Sequence, residues 1–233
     1  MRGGVLAIGS LYWCDHPSRA RWRSSQLSHA EEKSVLVPIR YGRRSRGNTY
    51  TMVFSLLCLR GSHGLGVGKA IPFLADITTS AALIKEAELM WAAERKAASP
   101  DGSLSATWGG VALLTNPNRD LTGPILETWS DRVAKEINYG RISHTQSEPS
   151  VVSNDGYLRI PWPETTEREP LDLDFLLATA TDPFLSGKPP MYPRTRDVAL
   201  AWKRARNADY FLRNRGSGIW TYQDEAIQNW LSE

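Results

Sequence analysis

Cysteine is nearly absent from this sequence: Cys14 and Cys58 are the only two among 233 residues. They lie far apart and have no cysteine neighbours, so neither a disulfide scaffold nor a cysteine-based metal site is suggested; a single disulfide between them stays open. Histidine is almost as scarce. His16, His29, His63 and His144 show no close metal-ligand spacing and read as loop or surface residues. Long apolar runs are missing too. None approaches the roughly 20 residues that a membrane span needs, and Val5 to Ile8 is too short for a signal-peptide core. A soluble, cytoplasmic protein without a membrane partner is therefore expected. There is no repeat, no low-complexity block and no large charge imbalance: 28 basic residues against 25 acidic ones leave +3, which does not by itself require a polyanionic partner. A Gly-x-Ser-x-Gly nucleophile elbow is also lacking, so Ser10 is read as a binding hydroxyl and not as a nucleophile.

What is present is ordinary globular composition, 41% hydrophobic and 23% charged, in a length that suits one sizeable domain or a core with an appended part. Strand-like runs occupy Val5–Ile8, Val35–Ile39 and Thr49–Leu59, with another from Lys69 to Ile77 and one from Trp108 to Leu114. The glycines of residues 61–68 invite a phosphate-loop reading. No helix opens after the last of them, so a flexible hairpin connection is expected instead. Thr78, Thr79 and Ser80 are good N-caps, and the glycine-free, proline-free stretch Ala81–Ala98 is the clearest helix. After that the pattern turns helical. Pro124–Ile137, Thr195–Arg213 and Thr221–Leu231 read as helices, the last opening with Thr221 and Asp224. Between them come a polar loop over 143–155, a short strand over 157–162 and a proline-rich connection over 183–193. The expected architecture is α+β: a mixed barrel or sheet of about five or six strands with flanking helices. Residues 1–120 form its core, and 121–233 a mostly helical C-terminal extension packed on that core.

On the Ala81–Ala98 helix, Leu83, Ala87, Met90 and Trp91 share one face at 100° per residue, and Glu94 lands near its centre. A carboxylate there must pair with a cation or take up a proton, which makes it either a candidate general acid/base or a last-turn residue held by an arginine. The basic residues are unevenly spread, in three clusters: Arg19, Arg21 and Arg23; Arg40, Arg43, Arg44 and Arg46; and the stretch from Arg194 to Arg215. The third mixes with Trp202, Tyr210 and Phe211, as a nucleic-acid surface would, yet its helical spacing also fits a solvated basic face.

The segment Ala7-Ile8-Gly9-Ser10-Leu11-Tyr12-Trp13 resembles the first strand and loop of the gamma-glutamylcyclotransferase-like superfamily, especially its ChaC-type branch. Ile39–Arg44 looks like that family's basic strand, Gly68–Leu74 like the strand before its key helix, and Met90–Glu94 like the Leu-Asp-x-x-Glu end of that helix. The resemblance covers Val5 to roughly Thr115. Ile8 stands where the family has an aromatic residue, Trp91 where it often has aspartate, and Arg95 where glycine is common. The resemblance implies a mixed β-barrel or sheet, with Glu94 as acid/base and Ile8, Gly9, Ser10, Leu11 and Arg40 binding substrate. It further implies an intramolecular aminolysis of a γ-glutamyl-type small molecule to 5-oxoproline, with no metal or organic cofactor required. The alternative is a non-catalytic protein on the same fold that holds an acidic ligand or nucleic acid through its arginines.

Overall fold

A computed structural model describes residues 1–45, 47, 49–60, 64–119, 124–139, 150–183 and 191–233. Arg46, His63 and His144 lie outside the described residues, as do most of the polar loop expected over 143–155 and of the connection expected over 183–193.

β1 (Gly3–Ala7) is short, apolar and uncharged, and all five residues are buried, as suits a strand covered on both faces. It sits inside a six-stranded mixed sheet of order β2-β5-β1-β8-β7-β6. β5 (Gly66–Pro72) pairs antiparallel with β1 on one side and with β2 (Lys33–Val37) on the other. β8 (Phe175–Thr181) runs parallel to β1 and antiparallel to β7 (Gly109–Thr115), which carries the short β6 (Ser105–Ala106). A separate antiparallel ribbon joins β3 (Ile39–Arg44) to β4 (Tyr50–Phe54). The described residues include seven helices: α1 (Ser10–Trp13), α2 (Pro17–Gln26), α3 (Ser80–Glu94), α4 (Pro124–Val133), α5 (Thr195–Ala205), α6 (Asp209–Gly216) and α7 (Asp224–Ser232). The protein is thus mixed α+β, and none of these helices is long and apolar enough to cross a membrane.

Several elements differ from their sequence reading, each for a physical reason. The glycines expected in a connection are partly strand: Gly66 and Gly68 pair with Val37 and Val35. A side chain at Gly66 would press on the Trp220 carbonyl oxygen at 2.4 Å. The run expected over Thr49–Leu59 leaves the ladder at Phe54 and closes as a 3-10 turn, Leu56–Leu59. α3 ends at Glu94, not Ala98, because Lys96 turns left-handed at φ 59°. Arg206, at φ 49°, likewise splits the helix expected over Thr195–Arg213 into α5 and α6. α2 was not expected; Pro17 opens it at the first helical position, where a missing N–H costs nothing. β8 was also unexpected, and it lies in the stretch read as mostly helical. Residues 157–162 form no named strand; Tyr157 bridges to Leu113 beside β7, and Leu158 to Val152. No disulfide joins the cysteines, and the Cys58 thiol donates to the Ile39 carbonyl oxygen.

Tryptophan fills the interior. Trp91, Trp129 and Trp202 are all but fully buried with Tyr41, Phe54 and Phe175. Trp202 meets Tyr41 edge-on at 5.0 Å, which fixes α5 against the β3–β4 ribbon.

Candidate functional site

The chain leaves β1 at Ala7 and passes through Ile8 and Gly9 into α1, the amides of Ser10 and Leu11 opening that helix without intrahelical acceptors. This loop is anchored from α2. Arg19, only 4% exposed, donates to Ser10 Oγ at 2.8 Å, while Arg23 donates to the carbonyl oxygens of Leu11 and Cys14, each at 2.9 Å. Arg19 and Arg23 of the first arginine cluster therefore hold the loop in place. Gly9 has no room for a side chain, since a Cβ there would lie 2.3 Å from the Tyr210 hydroxyl.

Arg19 also reaches the other half of the site. Its guanidinium donates to the carbonyl oxygens of Ala93 and Glu94, at 3.1 and 2.9 Å, and pairs with the Glu94 carboxylate at 3.1 Å. One side chain thereby ties the loop after β1 to the last turn of α3. The Glu94 side chain is 15% exposed. Burial pushes its pKa above the ordinary glutamate range, against the opposing pull of Arg19, Arg43 and Lys96. An arginine thus pairs with Glu94, and burial raises its proton affinity.

Glu94, Ile8, Gly9, Ser10 and Leu11 line one cavity of about 70 Å³. Residues beyond the expected set complete it. Thr179 and Thr181 of β8 turn to it at period 2, and their buried hydroxyls have no hydrogen-bond partner among the described residues. Tyr210 of α6 contributes its phenol, whose pKa burial pushes up to about 12, so it stays protonated at neutral pH; its oxygen accepts from the Met52 amide at 3.3 Å. Arg43 of β3 also lines the cavity, its guanidinium 4.6 Å over the Trp108 ring.

Arg40 is not brought to this cavity. It lies buried with its guanidinium 4.3 Å over the Tyr192 ring and donates to the Pro193 carbonyl oxygen. The β3–β4 register slips between Tyr41 and Arg43, so strict alternation fails there and Arg43 is the arginine presented. A signal for the threonines existed in the alternation of Thr179 and Thr181. Nothing local pointed to Tyr210 or Arg19, which meet the loop only through the tertiary fold.

Beside the inner cavity lies a wider cleft of about 920 Å³ that shares Ser10, Arg43, Glu94 and Tyr210 with it and extends past Trp13 and Trp108. Of the histidines, His16 bonds Ser18 and His29 bonds Glu32, and neither lines cavity or cleft. No group of three histidine, cysteine or acidic side chains able to hold a metal comes together among the described residues. Comparisons of the chain with protein-family models, curated proteins and solved structures find no match.

Proposed function

We propose that the protein is a gamma-glutamylcyclotransferase-like enzyme, with the mixed-sheet fold of that superfamily, that cleaves a γ-glutamyl amide and releases 5-oxoproline. The observation that carries this reading is the single cavity onto which both the Glu94 carboxylate and the Gly9-Ser10-Leu11 loop open.

In this reaction the substrate's α-amine attacks its own γ-carbonyl carbon. A new C–N bond closes the five-membered ring, and the original amide C–N bond breaks to free the amine that had been attached. Because nucleophile and electrophile belong to one molecule, the site has mainly to hold the folded substrate and move a proton. Glu94, with its raised proton affinity, takes a proton from the ammonium and returns one to the leaving nitrogen. The amides of Ser10 and Leu11 and the protonated Tyr210 hydroxyl are suited to the developing oxyanion and the substrate carboxylate. The hydroxyls of Thr179 and Thr181, which have no hydrogen-bond partner among the described residues, can donate to or accept from a polar group of the substrate.

The test is release of 5-oxoproline from a panel of γ-glutamyl amino acids, peptides and amines. Wild-type protein is expected to turn over at least one of them, and Glu94→Gln to lower that rate by about 10²–10⁴-fold while still binding the substrate. A wild type that releases none overturns the reading.

A further inference from the structure

The wider cleft has a charge pattern that the proposed reaction does not use. Five cations line it, Arg19, Arg43, Arg95, Lys96 and Arg213, against two acids, Glu94 and Asp209. Two of those cations are committed: Arg19 to Glu94 at 3.1 Å, and Arg95 to Asp101 at 2.7 Å. The other three are not. Arg43 and Lys96 make no side-chain hydrogen bond or ion pair among the described residues, and Arg213 has only a distant ion pair, 3.9 Å, with the exposed Asp15.

The geometry of the arginines matters as much as their number. Arg43 lies over Trp108 at 4.6 Å and Arg213 over Trp13 at 5.2 Å. A guanidinium held over a ring spends none of its N–H donors there, so they can still fork a carboxylate. The three cations come from separate places in the fold, β3, the turn after α3, and α6, and all line this one cleft. The cleft is over ten times larger than the inner cavity and begins at Glu94, where the leaving nitrogen would be.

We infer that this cleft is a leaving-group subsite for an acidic peptide, in which Arg43, Lys96 and Arg213 receive the carboxylates of the residues attached to the γ-glutamyl group. The inference rests on the reaction proposed above and adds the chemical class of the leaving group and the residues that select it.

Calorimetric titration of the Glu94→Gln protein tests it without turnover, using γ-glutamyl-aspartyl-glutamate and its near-isosteric neutral counterpart γ-glutamyl-asparaginyl-glutamine amide. The acidic tripeptide is expected to bind about tenfold tighter or more at low salt, with the ratio falling several-fold when Arg213→Gln is added and shrinking at high salt. Arg213 is half exposed, so its replacement leaves the fold intact; Lys96→Gln gives an independent second variant with the same expected loss of preference. Equal affinity for the two tripeptides overturns the inference, and 5-oxoproline release from both by wild type would then leave the proposed reaction standing. Preference for the acidic tripeptide by a wild type that releases no 5-oxoproline does the reverse: the anion site stands and the reaction falls. Tighter binding of a single-stranded oligonucleotide than of the acidic tripeptide overturns the peptide assignment.

Discussion

Arg19 carries more of the site than any other single residue, since it touches Ser10, the backbone of Ala93 and Glu94, and the Glu94 carboxylate. Replacing it by glutamine strands a nearly buried carboxylate, a loss of about 3–5 kcal/mol at neutral pH that urea unfolding would read. The same variant has a kinetic signature. In the proposed reaction Glu94 accepts a proton as its carboxylate, and burial raises its pKa, so kcat/KM should climb with pH through a value above the ordinary glutamate range. Arg19 pulls that pKa down, so Arg19→Gln should move the acidic limb of the profile to higher pH. Gly9 offers a second test: Gly9→Ala forces a methyl against the Tyr210 hydroxyl and should cost about 1–3 kcal/mol, most of it recovered in a Tyr210→Phe background, where the atom at 2.3 Å is gone. At this scale Glu94 was legible from its position on an apolar helix face. Its partner was not, because the contact spans 75 residues and nothing in helical periodicity reports it.

Helices were most legible where one face is wet and the other dry, and fully buried strands only where turn residues bound them. α3 announced itself through its cap, with the Thr79 hydroxyl accepting from the Ala82 amide, and through the face formed by Leu83, Ala87 and Met90. β8 did not. Five of its seven residues are buried, so Phe175-Leu176-Leu177-Ala178 shows no alternation and reads equally as helix. Leu177, fully buried in that strand, should cost about 2–5 kcal/mol when cut to alanine, measured by the same denaturant midpoints. Helix ends set by left-handed residues were missed because lysine and arginine there give no signal that glycine would have given. Arg206, exposed at φ 49°, invites the opposite experiment: Arg206→Gly should raise stability by about 0.5–1 kcal/mol by relieving a conformation that a side chain disfavours.

For the whole molecule, burial shifts several acids in one direction. The carboxyls of Glu86, Glu94, Asp182 and Asp224 are all raised by desolvation. Between their unfolded and folded pKa values the native state holds more protons than the unfolded chain, so stability should rise as pH falls from neutral toward the usual carboxylate range. Below that range both states are protonated and these four add nothing more, while Asp101, held well below the carboxylate range by Arg95 and Ser103, begins to lose its partners. A urea-midpoint series against pH should therefore pass through a maximum on the acid side of neutrality; a steady decline from pH 7 downward would contradict this assignment of the buried acids.

The parallel pairing of β1 with β8 joins Gly3–Leu6 to Phe175–Ala178, the two ends of a loop of some 170 residues. That pairing sets a clock on synthesis. At about 5–20 residues per second, a ribosome extrudes β1 on the order of ten to thirty seconds before the strand that must lie beside it exists. Tyr210, which closes over Gly9, comes later still. Until then the nascent chain carries one uncovered edge of an apolar strand. The cavity consequently cannot form before β8 and α6 are made, and the enzyme proposed here would gain its activity no earlier than Tyr210 leaves the ribosome.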